Sequence, residues 1–498
     1  MRYLLFLLIF INLYSSTLHL TTSANPSRLN PILATDSSSS EITNFLFNGL
    51  VKYDKDNAKI IGDLAESFYY ENNTTIIFKL RKNVLWHDGE KFNAKDVVFT
   101  YKTIISPKIS TPYSSEFRFV KSVKALDDYT IRVIYKKPYF KSLEAWSMGI
   151  LPKHILKDEE NLMTSKFNTH PIGTGAYKLF QLEHSKDIIL IANDKYFESR
   201  PKIDKISFHV IADTMTRFLM LKSLAVDLGS VEPMQFERQL SEEFFNKFNI
   251  YEKISQSYTY LGFNLRLKKF QNPKVREAIS LAVNREEMLK ILFFKHAKVC
   301  NGPFLPETKA YNEKVKAPKQ NIKKAKKLLH EAGYTKSNPL KFEIVTSNSS
   351  AIRPYAAQIL QHQLKQVGIE VKLRVMEWQA FLNMVVFPHK FDTVLLGWGL
   401  SVTPDPYSIW HSDNDKKGGF NLVGYKNKKL DKMIEKSQTI VDREKLGVIW
   451  REMFKVITDD NPYLFLYIPN SITAVNKNIK NIDVAKSGIW HNYIKWEK

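Results

Sequence analysis

The chain has 498 residues, a net charge of +22, 44% hydrophobic and 25% charged residues, and a single cysteine. That is length for about two to four domains with sizeable cores, and the composition is that of an ordinary globular protein, not of a collagen-like or low-complexity chain. Cys300 on its own excludes an intramolecular disulfide, a CxxC redox pair and a cysteine-rich zinc site.

The first segment reads as an address. Met1-Arg2 supplies a positive charge, and Tyr3 to Tyr14 is almost wholly apolar. Such a run suits the h-region of a secretory signal and is too short to span a bilayer. Small residues follow at Ser15 and Ser16, so residues 1–16 are expected to be a signal peptide. No cysteine lies there to be acylated, so the mature protein is not expected to be a lipoprotein. No later run of 18 or more apolar residues predicts a membrane span.

Strands and helices then alternate. Thr17 to Thr21 alternates like a short strand, and Asp36 with Ser37 to Ser40 reads as a polar loop before a helix from Glu41. Thr75 to Leu80 is a strand, and Trp86-His87-Asp88-Gly89 is a turn. Asn93 is placed to cap a helix, with Asp96 as the reciprocal acid of a capping box. Thr130 to Tyr135 has the period of a strand, Gly173-Thr174-Gly175 leads into another at Ala176 to Phe180, and Asp213 to Asp227 reads as a helix. Thr259 to Leu265 is a strand, and Asn272-Pro273 starts a helix. Asn321 to Ala332 and Ala356 to Val367 are helices stopped by Gly333 and Gly368, each leading into or out of a strand, which predicts α/β units. Phe391 to Leu396 is a strand opening into Gly397-Trp398-Gly399. Helices near 428–438 and 442–458 and the strand Tyr463 to Ile468 complete the chain.

Searched for chemistry, the sequence holds no GxSxG elbow, HExxH, Walker loop or GxGxxG. Its lysine pairs, such as Lys323-Lys324 and Lys326-Lys327, interleave with apolar residues as a solvated helix face does, so no nucleic-acid partner is expected. The scattered histidines give no metal-ligand spacing, and neither metal nor cofactor is expected. Trp378, Trp398, Tyr407 and Trp410 cluster instead. A strand that ends in Gly-Trp-Gly offers free main-chain groups beside an indole wall, an edge that can take an extended peptide as an extra strand. Trp398 and Trp378 are the expected binding walls; Trp86 and Trp146 are expected in the core.

At this point the residues match a family. Asn30-Pro31, Gly49-Leu50-Val51 with Tyr53-Asp54, and Leu64-Ala65-Glu66-Ser67 are three of its segments. Phe78 to Lys82, Trp86 to Gly89 and Asp96 to Tyr101 form the most specific one. Gly173 to Tyr177, Phe263-Asn264, Val275 to Ile279, Gly397-Trp398 with Asp405-Pro406, and Asn461-Pro462-Tyr463 follow in order. Together they resemble the extracellular solute-binding proteins of the peptide/nickel class, the oligopeptide- and dipeptide-binding components of ABC importers.

The resemblance implies an α/β, two-lobed periplasmic-binding-protein fold with an extra domain and a cleft that closes about a hinge. Lobe one would comprise residues 17–41, 168–262 and 472–498, the extra domain 42–167, and lobe two 263–471. It implies a monomeric periplasmic protein that captures peptides and delivers them to an inner-membrane ABC importer permease, with no catalysis. Thr35, Asp36, Ser37, Trp378, Gly397, Trp398, Gly399, Leu400, Ser401 and Asp405 would bind the ligand. One position departs from the pattern. The family's dipeptide and oligopeptide binders hold the ligand's α-ammonium with an Asp three residues after this tryptophan, and here that residue is Ser401, which leaves Asp405 as a substitute or as a helix cap. A same-fold binder of a nickel chelate or haem, and a secreted hydrolase, are the alternative readings.

Overall fold

The computed structural model describes residues 16–56, 59–182, 187–416 and 418–498. The expected signal segment lies outside these except for Ser16. That residue is already part of the fold: its N–H donates to Asp204 Oδ2 at 2.8 Å, and its carbonyl accepts from the N–H groups of Asp204 and Lys205. The strand Thr17–Thr22 follows, with Leu18, Leu20 and Thr22 buried in alternation. It pairs in parallel with Lys205–Val210 in a four-stranded sheet completed by Ile188–Ala192 and Tyr177–Gln181.

A second four-stranded sheet, antiparallel throughout, runs in the order Ala65–Asn72, Thr75–Leu80, Thr130–Tyr135, Val120–Asp127. Helix Ala94–Ile104 packs against it, and both halves of the predicted capping box form. Asn93 Oδ1 accepts from the Lys95 N–H at 2.8 Å, and Asp96 Oδ2 accepts from the Asn93 N–H at 3.0 Å. Trp86 and Trp146 are buried here as expected, Trp146 between Phe78 and Phe117.

The third sheet has eight strands. Its main path is Leu228–Ser230, Tyr463–Asn476, Ser257–Phe263, Thr393–Gly399, Lys341–Ser347, Glu370–Met376, and Phe248–Ile254 and Ala297–Val299 also pair with Tyr463–Asn476. Parallel pairing joins Lys341–Ser347 to its two neighbours; helix Ile352–Lys365 supplies the crossover to Glu370–Met376, and helix Ile322–Glu331 leads into Lys341–Ser347. Gly333 and Gly368 follow them at φ +88° and +86°, the left-handed conformation that glycine enters without a Cβ clash.

The long strand Tyr463–Asn476 changes partners along its length. Its first half pairs with Thr259–Gly262 and its second, from Asn470, with Phe248–Ile254. A short segment between Ile254 and Ser257 joins those two partner strands. A division after Gly262 would cut the strand Ser257–Phe263, whose seven residues all pair with Thr393–Gly399. The sequence pattern marks a strand there but carries no information about which sheet receives it.

Three further elements differ from expectation. The serine run is the first turn of helix Ser37–Leu46, with Asp36 as its cap: Asp36 Oδ1 accepts from the Ser39 N–H at 3.0 Å. The helix expected over Asp213–Asp227 is Thr214–Lys222 and ends where Leu224 takes φ +63°. The helix expected from Ala356 starts at Ile352, because Pro354 falls in its first turn, where no N–H is needed. The Val275–Ile279 segment also gains a physical reason. Arg276, in helix Pro273–Ala282, donates to the carbonyls of Phe270, Gln271, Asp460 and Asn461 and so clasps the end of helix Arg443–Asp460.

His296 sits beside this strand. Its Nδ1 lies 2.8 Å from Glu252 Oε1 and its Nε2 2.9 Å from Glu237 Oε1, while its carbonyl accepts from the Asn470 N–H. Burial works against the charged imidazole, but the bonds to Glu252 and Glu237 outweigh it and raise its pKa. A raised folded value means that the stabilisation is complete below the unfolded value of 6.5 and fades as pH rises through the folded one. His296→Gln is therefore expected to lower the melting temperature more at about pH 6 than at about pH 9. Equal losses at both would show that shape, not charge, is what His296 contributes.

Candidate functional site

The strand Thr393–Gly399 is covered along one edge by Ser257–Phe263. On its other edge Lys341–Ser347 pairs only with Thr393 and Val394, and Thr346 Oγ1 then donates to the Leu395 carbonyl at 2.8 Å. Beyond Leu395 that edge has no strand partner among the described residues. It opens instead into a cavity of about 820 Å³, lined by Leu396 to Ser401, by Thr35–Ser37 and Ser230–Pro233, and by Tyr113, Glu116 and Lys141. That volume is at the upper end of small-molecule sites. Gln379 Nε2 donates to the Asn25 carbonyl at 3.2 Å, Arg443 pairs with Glu144 at 2.7 Å, and the hydroxyls of Tyr53 and Thr403 lie 3.0 Å apart.

All ten residues singled out from the sequence line this one cavity. Their chemistry differs from place to place. The Asp36 carboxylate is taken up by the cap and by the hydroxyls of Ser27 and Ser39, so Thr35 and Ser37 flank a saturated acid. Trp398 is half-buried and parallel to Tyr260, with ring centroids 6.3 Å apart. Its Nε1 donates to the Tyr463 hydroxyl at 3.2 Å, so the indole N–H is spent on the protein and the ring presents area. Trp378 is the converse: its Nε1 is buried with no hydrogen-bond partner among the described residues. Gly399 has open space where a Cβ would be, and the Leu400 N–H donates to the Gln256 carbonyl. Ser401 is exposed and donates to the Thr403 carbonyl at 2.7 Å. Asp405 does cap the following turn, Oδ1 accepting from the Tyr407 N–H at 2.9 Å, and its Oδ2 faces Lys141 Nζ at 3.4 Å.

Gly397 has a definite reason to be glycine. A Cβ there would lie 3.2 Å from the Tyr258 carbonyl oxygen and 3.3 Å from Arg353 Nη2. The carbonyl belongs to the paired strand and cannot yield, so the guanidinium must. Gly397→Ala is expected to cost about tenfold in ligand affinity, by displacing Arg353, with little change in melting temperature. Unaltered affinity in titration calorimetry would refute that coupling.

Arg353 itself was not singled out from the sequence. Its guanidinium lines the cavity and makes no hydrogen bond or ion pair among the described residues. Burial pulls its pKa down, opposed by Tyr467, Tyr260 and Glu232 nearby. A signal for it did exist: an arginine in the first turn of a helix opposes the helix dipole, a placement that needs another reason. Glu116, Lys141 and Glu232 were missed too, and no local pattern marks them. No group of three His, Cys, Asp or Glu side chains able to hold a metal exists among the described residues, and none of their helices is long and apolar enough to cross a membrane.

A family model described as bacterial extracellular solute-binding proteins, family 5 Middle, matches residues 59–420. The oligopeptide-binding protein AppA of Bacillus subtilis is 33% identical over 491 residues, which cover 95% of this chain and 89% of that protein. Its solved structure, a complex with a nonapeptide, superposes with a TM-score of 0.91 at 32% identity over 97% of this chain and 98% of its own. NikZ from Campylobacter jejuni in complex with Ni(L-His) gives 0.87 at 28% identity over 97% and 100% of the two chains. DppA from Helicobacter pylori in complex with the peptide STSA gives 0.87 at 27% identity over 97% and 98%.

Proposed function

The chain belongs to the bacterial extracellular solute-binding proteins of family 5, and on that premise we propose that it captures peptides in extended form between its lobes and hands them to an ABC importer permease. The observation that carries this reading is the free edge of Thr393–Gly399, which opens into the cavity beside an unpaired guanidinium. Main-chain pairing to that edge would grip any peptide irrespective of side chains, Trp398 and Trp378 would wall it, and Arg353 would meet a carboxylate. AppA with its nonapeptide and DppA with STSA support the same reading.

In this proposal the protein acts outside the cytoplasm as a monomer, after removal of the signal segment, and performs no catalysis. Its lobes, residues 17–41 with 168–254 and 472–498 on one side and 257–468 on the other, turn about the two links at Ser255–Gln256 and Pro469–Ser471, with residues 42–167 as the extra domain. NikZ with Ni(L-His) favours a second reading, a metal chelate in the same cleft. Native mass spectrometry of the purified protein separates the two: co-purifying masses that resolve into peptides support the first, and a nickel isotope pattern replaces it with the second. Small-angle scattering adds the closure test, since ligand must reduce the radius of gyration.

A further inference from the structure

We propose that Lys141 supplies the cleft with an ammonium group of its own, so that the corner built by Glu116 and Asp405 takes an uncharged ligand end, acylated or continuing as chain, and does not select a free α-amine. The inference rests on the peptide reading above and deepens it.

Glu116 stands on the turn Pro112–Phe117 of the extra domain, and Asp405 lies across the cleft on lobe two. Lys141 reaches between them, with Nζ 2.7 Å from Glu116 Oε2 and 3.4 Å from Asp405 Oδ2. All three line the cavity, and their side chains are only 9%, 16% and 5% exposed for Lys141, Glu116 and Asp405. Arg118 stands beside Glu116, its guanidinium 3.6 Å over the ring of Tyr407. Two carboxylates are thus met by two cations, and no charge is left to recruit a third. A ligand amine brought to this corner would face Lys141 at close range, with Arg118 beside Glu116, in a site largely shut off from water, where like charges repel strongly. Burial alone would drive the Lys141 proton off, but Glu116 and Asp405 outweigh it, so the lysine stays charged. The other cavity acids offer no substitute. Asp36 is saturated by Ser27 and Ser39, and Glu232 has Arg217 and Arg353 as its charged neighbours.

The test compares one peptide with its N-acetylated form, on the native protein and on Lys141→Ala, by titration calorimetry. The native protein is expected to bind both forms within about threefold, and the variant to favour the free amine by about tenfold or more, because a charge-assisted bond becomes available. A tenfold loss on acetylation in the native protein overturns the proposal, and that comparison needs no variant. A second arm uses no peptide at all. Propylammonium, the fragment that Lys141→Ala removes, is expected to raise the melting temperature of the variant and not of the native protein. No rise in the folded variant also overturns the proposal. Failure of every peptide to bind, with propylammonium rescue intact, would instead count against peptides as the ligand while keeping Lys141 as the occupant of an ammonium site.

Discussion

Arg353→Met is expected to weaken binding of a peptide with a free C-terminal carboxylate by about 10- to 100-fold, the worth of a bidentate charge-assisted pair in a shielded site. The same peptide with an amidated C-terminus should bind the native protein about as weakly as the acid form binds the variant, and the variant should not distinguish the two. This cycle follows from what Arg353 lacks. Lys141 on the cavity wall is paired with Glu116 and Asp405, and Asp36 is taken up by its cap. Arg353 has neither a hydrogen bond nor an ion pair among the described residues. A guanidinium does not shed its proton to escape burial as a lysine can, so the ligand-free cleft bears the cost of a buried cation that Glu232 nearby offsets only without a direct ion pair, and a bound anion relieves it. It also follows that Arg353→Met should not lower the melting temperature of the ligand-free protein. If acid and amide peptides lose affinity equally in the variant, the guanidinium shapes the wall and does not read a carboxylate.

What the sequence made legible was local. The capping box at Asn93 and Asp96, the glycine stops at Gly333 and Gly368, and the alternation from Thr17 to Thr21 depend on neighbours a few residues away, and each forms, the strand running one residue further to Thr22. The stretch Gly397–Ser401 is contiguous, so a single motif brings five lining residues at once. Glu116, Lys141 and Glu232 were not legible, because the groups they meet are remote in sequence. Lys141 and Asp405 are 264 residues apart in sequence, and a lysine that bridges two acids has no local mark that separates it from a solvated one. The strand expected to end at Ile468 runs on to Asn476 for a related reason. Pro469 and the polar pair Asn470-Ser471 end the apolar run, yet the strand continues through them, and the proline lacking an N–H falls at a change of strand partner. Asp36 misled in the opposite direction. Its serine run looks like loop until the aspartate is seen to cap it.

Trp398→Ala is expected to reduce ligand affinity by about 10- to 100-fold, as truncation of a tryptophan at the centre of a binding surface commonly does. The indole is held on one side by Tyr260 and edge-on by Phe420, 5.3 Å away, and it lines the cavity at the free strand edge. Its bond to Tyr463 complicates the reading, because truncation also strands a buried hydroxyl, at a cost of about 1–3 kcal/mol in stability. Trp398→Phe separates the two effects. Phenylalanine keeps a flat apolar wall but cannot donate to Tyr463, so it should share the stability loss while retaining affinity to within a few-fold. Chemical denaturation measures the first quantity and calorimetry the second. If phenylalanine and alanine cost the same in affinity, then it is the hydrogen bond to Tyr463, fixing the angle of the strand edge, that matters to the ligand, and the ring is not the wall it rests on.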